Sequence, residues 1–234
     1  MLEVKKLAIS YEKKLICEQI SFAAAKGEFL CLLGRNGTGK SSLLRILAGL
    51  QKYQKGTILL DNTELRLYHS KQLAHKIALV LNEKLPAEYL KVREVVALGR
   101  SPHLNWYGKY QESDEIAIQK AMKITEIENF ADRYLHTLSD GERQRVWLAR
   151  ALAQDTPLVI LDEATAFLDA YYRKEMIAML QKIALQEQKC ILLATHEIDL
   201  ALAYAHRLLL LTPQQQFLSL QKWEKSFVFE FLKI

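Results

Sequence analysis

The stretch FLCLLGRNGTGKSSLLRILAG, residues 29–49, decides how the rest of the chain is read. Phe29 to Leu33 is an unbroken apolar run of strand length. Gly34-Arg35-Asn36-Gly37-Thr38-Gly39-Lys40-Ser41 follows and fits the pattern G-x-x-x-x-G-K-[ST]. Lys40 to Ala48 then reads as a helix with Gly49 as its stop. Strand, loop and helix in that order make an anion cradle. The glycines let backbone N–H groups turn inward around phosphate oxygens, and the first helical turn adds its positive dipole end. Lys40 is expected to bridge the β- and γ-phosphates of a nucleotide. The Ser41 hydroxyl is expected to ligate Mg²⁺, which demands oxygen ligands. A glycine-rich turn with a chance lysine would lack the two flanks.

Upstream of the loop, LEVKKLAISY, LICEQISFAAA and the run into Phe29 read as short strands, with a turn at Glu12 to Lys14. Downstream come a strand pair in GTILLDNTEL, a helix near Ser70 to His75 and the strand KIALVL. From Pro86 to about Ala153 the apolar spacing becomes helical, as in EIAIQKAMKITEI and GERQRVWLARALA. Strand-like runs return at LVILD and CILLATH, with the helix YRKEMIAMLQKIALQ between them. That alternation is the βαβ signature of a parallel sheet. A helical block is thus inserted into an α/β core. The Phe-rich tail from Gln214 either packs as a helix or offers a partner surface.

The run Leu158 to Leu161 ends in Asp162-Glu163. Two carboxylates at the tip of a buried strand cost desolvation unless a cation offsets it. Asp162 is expected to orient Mg²⁺, and Glu163 to polarise an attacking water as general base.

Composition bounds the rest. The 234 residues suit one domain or two small ones. Lys and Arg number 32 against 27 Asp and Glu, and a net charge of +5 does not by itself argue for nucleic acid. No apolar run reaches the eighteen or so residues of a membrane span. The N-terminus MLEVKKLAIS lacks the apolar core of a secretory signal. Cys17, Cys31 and Cys190 are far apart in apolar runs and read as buried thiols of a reducing compartment.

Further motifs carry a resemblance. Leu138-Ser139-Asp140-Gly141-Glu142-Arg143-Gln144-Arg145 resembles the LSGGQ-type signature of ABC ATPases. Ala166-Phe167-Leu168-Asp169 is similar to their D-loop, and His196, after CILLAT, to their switch histidine. Tyr11 sits where that family stacks an aromatic ring on adenine. The match implies an α/β P-loop NTPase with a RecA-like parallel-sheet core, an N-terminal antiparallel β subdomain and an inserted α-helical subdomain. The expected division is a nucleotide-binding core at 1–85 and 156–212, a helical signature subdomain at 86–155 and a tail at 213–234. It implies ATP and Mg²⁺ at Tyr11, at Gly34 through Ser41 and at Ser42, with Ser41 and Asp162 on the metal and catalysis by Glu163 and His196. Ser139, Asp140, Gly141 and Glu142 would serve the nucleotide of a second copy across a homodimer, with Asp169 at that interface. Ser139 and Gly141 would open a helix N-terminus, again an anion site.

Two departures stand out. Asp140 and Glu142 replace the family's Gly and Gln. Asp140 should point away from phosphate, and Glu142 should contact ribose or a basic neighbour such as Arg143 or Arg145. In the glutamine loop, Asn82 followed by Glu83 replaces Gln. Asn82 is expected to reach the Mg²⁺ shell, with Glu83 as the rival ligand.

The segment Leu90-Lys91-Val92-Arg93-Glu94-Val95-Val96-Ala97-Leu98-Gly99-Arg100-Ser101-Pro102-His103, followed by Trp106-Tyr107-Gly108, resembles importers for iron-siderophore, haem and vitamin B12. That resemblance implies integral membrane permease partners, a secreted or periplasmic substrate-binding protein, a cytoplasmic-face location and no nucleic acid. Trp106 and Tyr107 either dock a partner or pack the helical block. Rival readings are an ABC protein acting on DNA or ribosomes, which usually carries two cassettes or a long coiled coil, and an exporter ATPase. A P-loop GTPase would need an N-K-x-D motif, which the sequence lacks.

Overall fold

The computed structural model of the chain describes residues 1–11, 14–81, 89–104, 106–166, 168–212, 214 and 216–232, without the side chains of Tyr11 and Lys14. Strands β1 (Leu2–Tyr11) and β2 (Lys14–Ala24) form an antiparallel hairpin. Strand β3 (Phe29–Leu33) leads into helix α1 (Lys40–Leu47). Strands β4 (Lys55–Leu60) and β5 (Thr63–Glu64), helix α2 (Ser70–Ala74) and strand β6 (Ile77–Val80) follow. Helices α3 (Val92–Ala97), α4 (Glu112–Ile124) and α5 (Asp140–Ala153) are consecutive. The chain then alternates through β7 (Leu158–Asp162), α6 (Ala170–Gln186), β8 (Cys190–Thr195), α7 (Ile198–Tyr204) and β9 (Arg207–Leu211). Strand β10 (Phe217–Leu220) and helix α8 (Lys225–Leu232) end it.

The strands form two sheets. One is antiparallel, in the order β2-β1-β4-β5, and the other runs β10-β9-β3-β8-β7-β6. The second is parallel except for β10, which pairs antiparallel to β9. Every residue of β3, β7 and β8 is buried, which fits strands covered on both faces. Alternation along β3 divides the apolar interior. Phe29, Cys31 and Leu33 join a cluster with α3 to α6 and α8, whereas Leu30 and Leu32 join α1 and the antiparallel sheet. All three cysteines are buried, and none of them is in a disulfide. Among the described residues no helix is long and apolar enough to cross a membrane.

A buried ion pair ties the helical block together. The Arg100 guanidinium donates to Asp114 at 2.8 Å and to the Ala153 carbonyl at 2.8 Å, while Asp114 accepts the Gln111 N–H at 2.9 Å. This holds the Leu98–His103 turn against α4 and the end of α5. Arg100 is therefore structural, although it lies in the importer-like segment. The tail departs from a simple packing helix: it first adds an edge strand, with Phe217 opposite Leu211, and only then buries Val228 and Leu232 of α8. The alternation in Phe217–Leu220 was the signal for that strand, too short to stand out by itself.

Candidate nucleotide site

The parallel order β7-β8-β3 brings three loops to one edge of the sheet. Leu33 lies opposite Thr195, and Asp162 opposite Ala194. The phosphate loop, His196 and Asp162-Glu163 thus leave the carboxyl ends of adjacent strands, where open α/β sheets bind ligands. The loop geometry needs its glycines. Gly39 has φ +98°, and a Cβ there would lie 2.6 Å from Ile16 Cγ2. A Cβ on Gly34 would lie 2.5 Å from the Leu211 carbonyl oxygen. Gly39 also caps α1 without a side-chain hydrogen bond, and the first turn holds no acid, so its N–H groups remain for an anion.

Lys40 crosses this loop. It is 5% exposed, donates to the Gly34 carbonyl at 2.8 Å and the Arg35 carbonyl at 3.4 Å, and lies 3.7 Å from Glu163 Oε1. Burial pulls its pKa down, and the Glu163 and Asp162 carboxylates oppose that. Asp162 is buried, and its Oδ1 has no hydrogen-bond partner. Burial pushes its carboxyl up, Ser41 hydrogen-bonds it, and Glu163 adds a like charge. An orphaned carboxylate oxygen beside a serine hydroxyl is a hard oxygen donor set, so these residues fit Mg²⁺. Glu163 adopts φ +51°, uncommon for a residue with a side chain, with its N–H bonded to the Ala194 carbonyl at 3.0 Å.

His196 is exposed, and its Nε2 lies 3.2 Å from Glu197 Oε1. Glu197 is also paired with Arg173, which donates to the Leu168 carbonyl at 2.7 Å. These two residues tie the His196 loop to the start of α6, a link the sequence reading missed although Glu197 follows His196 directly. Tyr11 ends β1, but its side chain lies outside the described residues. Asn82, Glu83 and Phe167 also lie outside them.

Ser139, Asp140, Gly141, Glu142 and Asp169 gather at a second place. Ser139 caps α5 and Asp169 caps α6, accepting from the Tyr172 N–H at 3.0 Å. Tyr172 packs against Gly141, where an added Cβ would meet its ring at 3.1 Å. Asp140 is exposed and pairs with Arg143. Glu142 has a basic neighbour, as the sequence suggests, but the ion pair is with Arg133. Its carboxylate folds back on Ser139, accepting the N–H at 2.8 Å and the hydroxyl at 2.9 Å, with Arg133 at 3.9 Å as its cation. Neither Arg143 nor Arg145 is that partner: Arg145 binds Glu126 and Glu175. The Ser-x-x-Glu spacing was the missed signal. Among the described residues no hydrogen bond or ion pair joins Ser139 or Gly141 to the phosphate loop.

Trp106 and Tyr107 are 97% and 83% exposed, so packing of the helical block does not account for them. A cavity of about 610 Å³ lies between the α1–β6 region and α5, lined by Leu50, Leu73, Leu79, Leu81, Trp147 and Arg150 among others. Arg150 Nε is buried there without a hydrogen-bond partner.

Residues 17–166 match the ABC transporter family. The petrobactin import ATP-binding protein of Bacillus anthracis is 38% identical over 214 residues, 92% of this chain and 78% of that protein. A metal-chelate type ABC transporter solved in an inward-facing conformation shares 30% identity with a TM-score of 0.82, over 94% of this chain and 82% of that one. A dimeric bacterial ABC transporter cassette shares 25% identity with a TM-score of 0.78, over 95% of this chain and all (100%) of that one.

Proposed function

The chain belongs to the ABC transporter ATP-binding family, and from that premise we propose that it is the ATP-hydrolysing subunit of an importer for iron chelates of the siderophore class. The observation that carries the ATPase chemistry is the grouping of Lys40, Ser41, Asp162 and Glu163 around one phosphate loop. Lys40 would exchange the Gly34 and Arg35 carbonyls for phosphate oxygens, which are stronger acceptors for an ammonium. Ser41 and Asp162 would hold Mg²⁺, which supplies charge neutralisation at the phosphate oxygens. Glu163 accepts a proton from the attacking water, and its release from Lys40 as phosphate binds frees it to do so. His196 donates a hydrogen bond to the γ-phosphate, with Glu197 orienting its ring. Asn82, or Glu83 in its place, would reach the Mg²⁺ shell.

The site is half of a pair. Among the described residues Ser139, Gly141 and Asp169 make no hydrogen bond to their own phosphate loop, and they would serve the nucleotide of a second copy. The likeness to a dimeric cassette supports this reading. The cavity lined by Leu50, Leu73, Trp147 and Arg150, whose Nε has no hydrogen-bond partner, together with the exposed Trp106 and Tyr107, is where we place the integral membrane permease. Aromatic and arginine side chains anchor interfaces of this kind. Such an assembly sits on the cytoplasmic face of the membrane and takes cargo from a substrate-binding protein. The relative's role in petrobactin import supports the chelate class.

The test is ATP turnover with and without Mg²⁺ in the wild type and Glu163→Gln. The variant should bind ATP, fail to hydrolyse it and accumulate as a dimer by sedimentation. A monomeric Glu163→Gln variant that still hydrolyses ATP would remove Glu163 as the base. Loss of radiolabelled ferric-siderophore uptake on deletion, restored by the wild type but not by Lys40→Ala, tests the cargo.

A further inference from the structure

We propose that Glu142 is a positioning residue that latches Ser139 closed, so that its carboxylate sets how much ATP the chain needs to form its dimer. This rests on the reading that Ser139 serves the nucleotide of a second copy. Both hydrogens that Ser139 can give, its N–H and its hydroxyl, end on one atom, Glu142 Oε2, at 2.8 and 2.9 Å. The Ser139 oxygen in turn accepts the Glu142 N–H at 3.3 Å. The hydroxyl is therefore spent inside its own helix cap, and an ionised carboxylate holds it more tightly than a neutral amide would. Burial raises the Glu142 pKa, but the two Ser139 hydrogen bonds and the Arg133 and Arg145 charges outweigh it, and the group is held below the usual glutamate range. Arg133, 3.9 Å away, is itself engaged with the Thr137 carbonyl and the face of Phe130.

A phosphate arriving at Ser139 must replace Glu142 as the acceptor of the hydroxyl hydrogen bond, and it meets the Glu142 negative charge at the same helix end. Asp140 adds a second one, partly answered by Arg143. Closure is thus opposed by a like charge that a neutral glutamine would not bring. Glutamine keeps the cap, because its carbonyl oxygen can accept the same two hydrogen bonds.

The experiment compares Glu163→Gln with Glu163→Gln/Glu142→Gln, using Mg-ATP and sedimentation velocity to find the ATP concentration for half-maximal dimer. A fluorescent ATP analogue measures binding to the monomer separately. The double variant should need about tenfold less ATP for the dimer, one pKa-unit's worth of charge interaction, with monomer binding unchanged. High salt should narrow the gap, because it screens the charge. An unchanged or raised ATP requirement, or a gap indifferent to salt, would overturn the latch. Glu163→Gln/Ser139→Ala separates the two readings. If it loses the dimer, Ser139 acts in trans whether or not Glu142 latches it. If it dimerises like Glu163→Gln alone, the reading in trans fails, and the latch with it.

Discussion

Helices α1 and α5 both begin at a place read as phosphate-facing, yet the chain builds the two ends in opposite ways. The α1 end is capped by Gly39 in a left-handed conformation, with no side-chain cap and no acid in its first turn. No side chain caps its N–H groups, and Lys40 donates to backbone carbonyls. The α5 end is capped by Ser139, boxed by Glu142 and carries Asp140 as well. It is complete without a ligand. The difference teaches that a helix N-terminus is an anion site only when nothing else satisfies it. On the function proposed above, the first end would take nucleotide as it stands, and the second would give up its own cap to do so.

The comparison breaks most visibly at Lys40. Lys40→Ala removes the one buried cation of the open end, and ATP turnover should fall about 100-fold or more, the scale of losing a charge-stabilising donor. Steady-state phosphate release measures it. No single substitution at the α5 end should act so strongly on ATP binding to the monomer. Gly39→Ala comes next. The left-handed backbone and the approach of Ile16 should cost roughly 1–2 kcal/mol of stability, read from urea unfolding of the nucleotide-free protein. Little or no cost would mean that the loop relaxes and the open cap is not conformationally enforced.

Ser139→Ala should cost about 1 kcal/mol by loss of the N-cap, in the same urea assay. The smallest effect concerns pH. A carboxylate held below its usual range stabilises the fold above that range, and this contribution is lost as pH falls through the depressed value. Wild type should therefore lose stability relative to Glu142→Gln as the solution is acidified into that window. Parallel stability curves for the two proteins would show that the carboxylate of the box adds nothing beyond a neutral hydrogen bond.

Much of this was legible in the residues. Strand, glycine loop, Lys40 and helix are adjacent, and their physics is local: φ preference, dipole and apolar period act within a few positions. The same holds for the all-buried β7 ending in Asp162-Glu163. The α5 cap was legible as well, since Ser139 and Glu142 stand at capping-box spacing, although Arg143 and Arg145 are the arginines nearest to Glu142 in the sequence. Its true cation, Arg133, comes from a different turn and carries no mark in the sequence. Strand β10 was hidden because an isolated four-residue stretch gains stability only from β9 beside it. The exposure of Trp106 was open for a like reason, because an aromatic side chain is core or surface according to what packs over it.

By itself, then, the sequence determined the elements and the chemistry that neighbouring residues make together: the phosphate loop, the tandem carboxylates, the parallel core and the helical block. The tertiary structure alone decided which distant groups meet. It set Lys40 within reach of Glu163, left Asp162 Oδ1 without a partner, locked Arg100 into a buried pair with Asp114 and linked Arg173 to Glu197. The reason is one of range. Backbone propensity and capping are settled within a turn of chain, whereas an ion pair or an orphaned oxygen depends on burial and on the one partner, from anywhere in the chain, that packing brings within hydrogen-bond distance.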